Sequence, residues 1–361
     1  MALEDWMAQY QDRPLGELHL PGSHDAGTTK DWNEYTVGGS ESNAATQDLT
    51  IPEQLAVGTR FFDLRLAVKK NAVVAHHTTA GQGAFSWSTV DEVLAEAARF
   101  CATHRTEVVI FRISHTSEKT RAHEIVKASG QGSLHTGTGN LCKKTLTQIV
   151  SQGGGLVCIL EEKVFGGVID QTAGVHAYSK YVAAANDHGI ATCGTYTRTH
   201  KLHDVVRNGL KGQYEHNERH NPGAHDHLWQ VYWQKTYMNP LSKGIERGTT
   251  KKTNFARGDG KVHGGTHAAT DYMLHLMSTM KPVGNEDFTV QKEESHRQFQ
   301  VGPVGIGKKV VTQQKVMYST LGVRNYSLPN ILSYDFVNED VNKQIIAMNQ
   351  PSLQAVLDGD V

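Results

Sequence analysis

The stretch Gly58-Thr-Arg-Phe-Phe-Asp-Leu-Arg-Leu66 decides the predicted fold of this chain of 361 residues. Its side chains alternate as those of a β-strand do, so Asp63 and Arg65 share one face, while Phe62 and Leu64 share the other. An acid and an arginine on the inner side of a barrel strand are costly to bury unless they are paired. We therefore expect either a structural ion pair or an arginine that binds a phosphate and is held in place by Asp63.

Short apolar segments that predict strands recur along the chain and alternate with helical patterns. The further strand candidates are residues 72–77, 107–113, 156–160, 191–197, 228–233 and 331–334. Apolar residues at helical spacing predict a helix at 89–104, and a closing helix is predicted at 341–348. This alternation indicates an α/β fold, either a barrel or a doubly wound sheet.

Polar residues cluster where the predicted strands end, and this favours the barrel, which builds its active site at that face. They are Asp63, Arg65, His76, His77, Ser114, His115, Glu161, Glu162 and Asp335. No GxGxxG turn follows the first strand, as a doubly wound sheet usually shows. We predict a TIM-type (β/α) barrel, and a distorted or incompletely closed form is left open. It is expected to be one domain over 1–361, with insertions at about 200–227 and 239–329 before the last strand.

Composition and charge exclude several classes of protein. The formal net charge of -1 gives no global positive field, so we expect no nucleic-acid partner. No apolar run approaches the roughly 18 residues of a membrane-spanning helix. The four cysteines have no CxxC spacing, which indicates neither a zinc knuckle nor a redox pair. We expect a monomer that is secreted or extracellular, with no signal peptide visible in this chain, or otherwise a cytoplasmic protein.

Two further motifs carry candidate catalytic groups. Leu20-Pro-Gly-Ser-His-Asp-Ala-Gly-Thr28 ends a strand and leaves His24 and Asp25 on a turn. A histidine with a pKa near neutrality can accept a proton from an alcohol, and a solvated surface turn is the alternative. Asp335 follows another apolar strand, where a carboxylate can orient a histidine across the barrel mouth or cap the next helix.

The pair His76-His77 ends a predicted strand and allows two interpretations. A metal site usually needs three or more ligands, and no HxH or HExxH pattern is present here. The other interpretation is one outward histidine and one inward catalytic histidine. A histidine-rich run between residues 200 and 227 invites a zinc hypothesis, but its irregular spacing and polar context favour a solvated loop.

Together these motifs resemble the phosphatidylinositol-specific phospholipase C family, and specifically the catalytic barrel of its bacterial members. HD, FDxR and HH occur in this order and spacing, which makes the signal specific, whereas residues 165–328 match only loosely. The resemblance is carried by Pro21-Gly-Ser-His-Asp-Ala-Gly-Thr28, residues 58–65, His76-His77, residues 107–114, and residues 329–349 with Tyr334-Asp335-Phe336.

The resemblance implies a phosphorus–oxygen lyase that cleaves phosphatidylinositol, or a related phospholipid, at a membrane surface. His24 matches the general base that takes the proton from the inositol 2-hydroxyl, and His77 matches the acid that protonates the diacylglycerol oxygen. The products are a cyclic inositol phosphate and diacylglycerol. Asp25 matches the carboxylate that works with the acid, Asp335 the one that orients His24, and Arg65 the arginine that binds the phosphate.

The resemblance also implies that no metal and no cofactor are needed. Calcium-dependent relatives hold a metal with extra carboxylates at the FDxR strand. Here Arg65 stands where one of those acids would be, and Ser114 fills another position that is acidic in those relatives. An arginine cannot ligate calcium.

The head-group site departs from the family pattern. Bacterial enzymes carry a lysine near Ser114 and a basic residue near Glu162, so the head group is held differently or is not plain inositol. The candidates for substrate binding are Asp63, Ser114, His115, Glu162, Arg198 and Tyr232. Candidates for the family's stacking tyrosine include Tyr196 and Tyr232, beside Arg198 and Trp233.

Two other functions compete with the lyase. One is a metal-dependent hydrolase on the same barrel that resembles glycerophosphodiesterases and would need a cluster of Glu and Asp ligands. The other is a barrel that binds a lipid or a glycan without catalysis. The presence of His24, His77 and Arg65 together argues against the second.

Overall fold

The computed structural model describes residues 2–29, 33–36, 44–79, 82–114, 119–130, 132–161, 169–180, 189–194, 196, 226–232, 292–299, 309–316 and 329–350. The strands are β1 (Leu20–Ser23), β2 (Asn33–Tyr35), β3 (Phe61–Lys69), β4 (Ala72–Thr79), β5 (Gln82–Thr89), β6 (Val109–Ser114), β7 (Leu156–Glu161), β8 (Val175–Lys180), β9 (Gly189–Cys193), β10 (Leu228–Tyr232), β11 (Lys292–Phe299), β12 (Lys309–Val316) and β13 (Ile331–Tyr334). The α-helices are α1 (Ile51–Ala56), α2 (Val90–Thr103), α3 (Lys119–Ser129), α4 (Leu146–Val150) and α5 (Glu339–Ala347). Short 3-10 helices cover Leu3–Tyr10, Leu15–Glu17, Leu141–Lys143 and Gln171–Ala173.

Eight of the described strands form a closed parallel barrel in the order β1, β3, β6, β7, β8, β9, β10 and β13. The short strand β1 closes it, because Leu20 pairs with Ile331 of β13 and Gly22 pairs with Phe61 of β3. A Cβ atom on Gly22 would lie 2.7 Å from the hydroxyl of Ser333, so glycine allows this close approach. The predicted TIM-type barrel is confirmed, and its closure excludes the doubly wound sheet.

The side chains inside the barrel change from apolar to polar toward the C-terminal ends of the strands. On β3, Phe61 is followed on the same face by Asp63 and Arg65. On the paired strand β6, Ile110 lies beside Phe61, and Arg112 lies beside Asp63. The apolar layer and the N-terminal segment belong to the same hydrophobic cluster. The outward residues of the same strands pack against α2 in a second cluster. The polar layer therefore lies at the face where barrel enzymes place their sites.

The N-terminal 3-10 helix is fixed at the opposite end of the barrel by a buried ion pair. Arg60 precedes β3 and lies with its Nε atom 2.8 Å from a carboxylate oxygen of Glu107, which precedes β6. The other carboxylate oxygen of Glu107 accepts a hydrogen bond from the Met7 amide at 3.0 Å. The indole of Trp6 donates to the carbonyl oxygen of Gly58 at 3.0 Å. This pair thus joins three segments that are distant in the chain.

An antiparallel ribbon extends from the barrel rim. β3 pairs with β6 only up to Arg65, and its continuation from Leu66 pairs with β4. β4 then pairs with β5, and β5 with β2. The strand predicted at 72–77 is therefore confirmed as the neighbour of β3, but it is not a barrel strand. Because β4 runs antiparallel to β3, it brings His76 and His77 back toward the barrel mouth.

The remaining predictions for strands and helices can be compared with the described residues. The segments predicted at 107–113, 156–160, 191–197, 228–233 and 331–334 correspond to β6, β7, β9, β10 and β13, and the helices at 89–104 and 341–348 to α2 and α5. β8 was not predicted. Most of both predicted insertions lies outside the described residues, and β11 and β12, which lie within the second, form an antiparallel hairpin. None of the four cysteines forms a disulfide and all four are buried. No described helix is long and apolar enough to cross a membrane.

We predict that Glu107→Gln destabilises the fold by roughly 3 kcal/mol or more, because it leaves the Arg60 guanidinium buried without a counter-charge. Urea unfolding followed by tryptophan fluorescence measures the change. The matched control is Glu339→Gln, since Glu339 pairs with Lys343 at 2.6 Å on the exposed surface of α5. Loss of that pair is expected to cost less than about 1 kcal/mol. Equal effects of the two substitutions would contradict the structural role of the buried pair.

Candidate active site

Three candidate catalytic residues meet because the strands next to them are neighbours in the barrel. His24 follows β1, Asp335 follows β13, and Arg65 lies on β3. Since β1 lies between β13 and β3, His24 and Asp335 come within hydrogen-bond distance although 311 positions separate them in the chain.

The ring of His24 is buried, and its two nitrogens have different partners. Nδ1 lies 2.7 Å from a carboxylate oxygen of Asp335. An ionised carboxylate can only accept, so Nδ1 carries a proton. Nε2 lies 3.3 Å from the guanidinium of Arg65, which can only donate. The neutral ring therefore keeps its lone pair on Nε2, as a general base requires.

The charges around His24 favour its protonated form. Burial by itself would lower the pKa of His24, but the carboxylates of Asp25 and Asp335 outweigh burial and the opposing charge of Arg65. The pKa of His24 therefore lies above its ordinary value. The same carboxylates stabilise the imidazolium that forms when the ring accepts a proton.

Asp25 lies at the centre of the cluster. One carboxylate oxygen is 2.8 Å from Nε of Arg65, and the other is 3.4 Å from Nε2 of His24 and 3.6 Å from Nε2 of His77. Burial would raise the pKa of Asp25, but Arg65, His24 and His77 together hold it well below its usual range. Asp25 is thus a fixed negative charge shared by three groups.

Arg65 is held by Asp25, and this corrects the predicted partner. The sequence predicted that Asp63 would hold Arg65, but Asp25 provides the ion pair and is the first cause of the raised pKa of Arg65. Asp63 lies instead 3.9 Å from Nη1 of Arg112. The alternation of β3 does place Asp63 and Arg65 on one face, but it cannot reveal a carboxylate that arrives from another strand.

His77 enters the cluster from the ribbon. Its Nδ1 lies 3.0 Å from the carbonyl oxygen of Ala44, so this nitrogen donates a proton there. Its Nε2 points to Asp25, and its ring lies 6.5 Å from that of His24. His76 points elsewhere, and its ring stacks on Phe85 at 6.0 Å. The structure thus places one inward and one outward histidine.

The turn that carries His24 and Asp25 is tightly fixed. Asp25 has a positive φ of 43°, which is uncommon for a residue with a side chain but tolerated by aspartate. Its carbonyl oxygen accepts from the hydroxyl of Thr46 at 2.8 Å. Gln47 donates to the carbonyl oxygen of His24 at 2.9 Å. Phe336, next to Asp335, also has a positive φ of 57°. The residue that follows each partner of the His24–Asp335 contact therefore has a backbone conformation that is often found at functional sites.

Arg112 is a candidate functional residue that the sequence analysis missed. It is buried on β6 and donates a hydrogen bond to the hydroxyl of Tyr232, and its guanidinium lies 4.2 Å from the centre of the Tyr178 ring. Its Nε atom and one carboxylate oxygen of Asp63 are buried without a hydrogen-bond partner. The signal available in the sequence was an arginine inside an apolar strand two positions before Ser114, on the same face.

The predicted substrate-binding residues are only partly described. Asp63, Ser114 and Tyr232 are buried at the polar end of the barrel, and Ser114 lies beside Arg65 in register. His115, Glu162, Arg198 and Trp233 lie outside the described residues. Tyr196, one of the candidates for a stacking tyrosine, lies with its ring stacked on His24 at 5.5 Å and against Tyr232 at 5.3 Å.

A metal-ligating arrangement also occurs within the described part of the chain. One ligand atom each of His24, Asp25 and Asp63 lie within 4.8 Å of one another. The guanidinium of Arg65 contacts both Asp25 and His24, so a fixed positive charge already lies against two of these three residues. A divalent cation there would be repelled by Arg65 unless that side chain moved.

Comparisons with known proteins connect this site to one family. No protein-family model matches the chain. It is 33% identical to "PI-PLC X domain-containing protein 1" of Danio rerio over 138 residues, which covers 31% of this chain and 44% of that protein. It is 31% identical to the human protein of the same name over 140 residues, which covers 30% of this chain and 41% of that protein. The match thus spans less than half the length of these relatives.

Solved structures extend the likeness to the whole fold. The phosphatidylinositol-specific phospholipase C of Listeria monocytogenes superimposes with a TM-score of 0.54 at 15% identity, over 97% of this chain and 99% of that one. The F249X mutant of the enzyme from Staphylococcus aureus gives a TM-score of 0.58 at 15% identity, over 97% and 100%. At this identity the likeness shows the fold. The chain is a barrel of the type found in these phospholipases C, and the family resemblance predicted from its motifs is confirmed.

We predict that Asp335→Asn lowers the pKa of His24, because it removes one of the two carboxylates that favour the imidazolium. The His24 ring would then lose its positive charge at a lower pH than in the unmodified protein. An NMR titration of the His24 ring proton on Cε1 measures this shift. Glu339→Gln is the control, because Glu339 is an exposed carboxylate that pairs with Lys343 on α5. An unchanged His24 titration in Asp335→Asn would exclude the proposed coupling.

Proposed function

We propose that the chain is a metal-independent phosphodiesterase of the phosphatidylinositol-specific phospholipase C type. The observation that carries this proposal is the shared carboxylate of Asp25, which lies against Arg65, His24 and His77 at once. Two histidines and a fixed arginine around one small volume supply a base, an acid and a cation for a phosphodiester.

In the first step, Nε2 of His24 accepts the proton of the inositol 2-hydroxyl. The alkoxide oxygen attacks phosphorus while the bond from phosphorus to the diacylglycerol oxygen breaks. His77, protonated on Nε2 beside Asp25, gives its proton to that leaving oxygen. The products are a cyclic inositol phosphate and diacylglycerol, so one proton is taken and one is returned.

Arg65 stabilises the charge that develops on the non-bridging oxygens of the phosphate. Its pKa is raised, chiefly by Asp25, so the guanidinium stays charged throughout. Asp25 holds its Nε atom, which leaves the planar end of the side chain to bind phosphate oxygens. A cation that is positioned before the reaction needs little reorganisation when the charge forms.

The polar layer of the barrel supports recognition of a polyhydroxylated head group. Asp63 and Arg112 each keep a buried polar atom without a hydrogen-bond partner. Such atoms are costly unless a ligand or water satisfies them. Ser114 and Tyr232 lie in the same layer. Arg112 thus provides a positive charge two positions before Ser114, near which bacterial enzymes of the family carry a lysine.

A metal-dependent hydrolase is the second candidate, and the group formed by His24, Asp25 and Asp63 favours it. The position of Arg65 against that group argues for the first candidate.

We further propose that the substrate lies in a membrane surface, that the protein acts as a monomer, and that it is secreted. The names of the similar bacterial enzymes support the choice of phosphatidylinositol as the lipid.

Phosphorus NMR of the protein with phosphatidylinositol micelles in excess EDTA tests the proposal directly. We expect a new cyclic phosphodiester signal that His24→Ala abolishes. Turnover that is absent in EDTA and restored by calcium or magnesium would select the metal-dependent hydrolase instead. An acyclic phosphate as the first product would contradict attack by the inositol 2-hydroxyl.

We predict that Arg65→Lys lowers kcat by about 100-fold or more, because an ammonium cannot replace the forked guanidinium that spans Asp25 and the phosphate. Steady-state rates on the same micelles measure the loss. Arg99→Lys is a matched control on the exposed face of α2, where Arg99 pairs with Glu96. Turnover close to normal in Arg65→Lys would remove this residue from the phosphate.

A further inference from the structure

A second cleft lies behind the turn that carries the candidate catalytic residues. It has a volume of about 430 Å³ and is bounded by β5 and the first turns of α1 and α2. Ala26 and Gly27, which directly follow Asp25, form part of its wall. Clefts of a few hundred cubic ångströms are large enough to hold small ligands.

The cleft contains the most exposed large apolar side chain of the described residues. Trp87 on β5 is 60% exposed, whereas Trp6 and Trp229 are buried. An indole offers a broad flat surface and one hydrogen-bond donor, and its burial by a ligand releases water from apolar area. The position of this indole in a cleft indicates a binding platform.

The rest of the wall excludes an anionic ligand. It carries the side chains of Thr29, Thr50, Ser86 and Ser88, together with the carboxylates of Glu92 and Glu96. No lysine, arginine or histidine is among the described residues that line it. A phosphate group or an anionic lipid surface would therefore meet two carboxylates and no cationic side chain among the described lining residues. The cleft is not an extension of the candidate phosphodiester site.

The existing contacts of the two carboxylates favour a neutral ligand over a cation. Glu92 accepts a hydrogen bond from the amide of Thr89 at 2.8 Å and so caps α2. Glu96 lies 2.5 Å from the guanidinium of Arg99. Their charges are thus partly compensated, and the described wall has one aromatic platform instead of the aromatic cage that quaternary ammonium groups favour.

We propose that this cleft binds a neutral saccharide. The apolar face of a sugar ring stacks on Trp87, its hydroxyls donate to Glu92 and Glu96, and the serine and threonine hydroxyls complete the contacts. The site does not depend on the proposed phosphodiesterase activity. A sugar bound there would touch Ala26, whose amide donates to the carbonyl oxygen of Asp63 at 2.9 Å.

The test uses four neutral probes: cellotriose, maltotriose, mannotriose and N,N′-diacetylchitobiose. Each is titrated to about 10 mM against the full chain, so that millimolar affinities are detected. Saturation-transfer NMR reports contact, and its dependence on sugar concentration gives the affinity of every variant, including those that lack the Trp87 indole. We expect at least one probe to bind, with roughly tenfold or greater weakening in Trp87→Ala, less weakening in Trp87→Phe, and further loss in Glu96→Gln.

Val68→Ala is the matched control, because Val68 is also an exposed apolar residue of the ribbon but does not line the cleft. It should leave binding unchanged, and a thermal unfolding midpoint close to that of the unmodified protein shows that each variant is folded. Absence of binding by all four sugars, or binding that Trp87→Ala leaves unchanged, would overturn the proposal. Saturable binding of tetramethylammonium chloride at Trp87 without any sugar would also overturn it. Turnover of phosphatidylinositol is measured separately, so its absence leaves this test intact.

Discussion

The buried negative charge of Asp25 is the constraint on which the candidate site depends. A carboxylate removed from water is stable only when positive charge and donors surround it. Arg65 on β3 and His77 on β4 meet this requirement from two directions, and His24 lies in the same turn. The same contacts hold Arg65 in place, and the charge of Asp25 raises the pKa of His24. One carboxylate thus organises groups from the barrel and from the ribbon.

The side chains inside the barrel change from apolar at one end to charged at the other, and this change makes the arrangement possible. Apolar residues such as Phe61 and Ile110 fill the end that the N-terminal segment covers, and charged residues follow them two positions later on the same strands. The apolar layer provides the free energy of burial that offsets the cost of the polar layer above it. Closure by β1 then brings the ends of β13 and β3 to either side of His24.

Much of the fold was predictable from the sequence because the apolar barrel strands have strong patterns. The run from Glu107 to Ile113 is an example, and it corresponds to β6. β8 was missed because its sequence, Val-His-Ala-Tyr-Ser-Lys, has no such run, and its buried histidine has a partner that is distant in the chain. His176 contacts the carbonyl oxygen of His135 at 2.8 Å.

The candidate site was predictable in its members and in two of its contacts, Asp335 with His24 and Asp25 with His77, but not in the partner of Arg65. His24, Asp25, Arg65, His77 and Asp335 follow from motifs, and the structure brings these five together. Local alternation suggested Asp63 as the partner of Arg65, whereas the partner comes from the β1 turn. Arg112 was overlooked because an arginine within an apolar strand carries no motif. Pairing across strands depends on register, which a single sequence does not state.

The location of His77 on the ribbon has a consequence for how such sites can diverge. The proposed proton acceptor, His24, directly follows a barrel strand, whereas the proposed proton donor, His77, lies on a hairpin partner that extends the rim. The hairpin could be lengthened, shortened or replaced without altering the eight-stranded wall. In the proposed mechanism, nucleophile activation and protonation of the leaving group therefore belong to different structural units, and a graft of this ribbon onto a related barrel would transfer the second without the first.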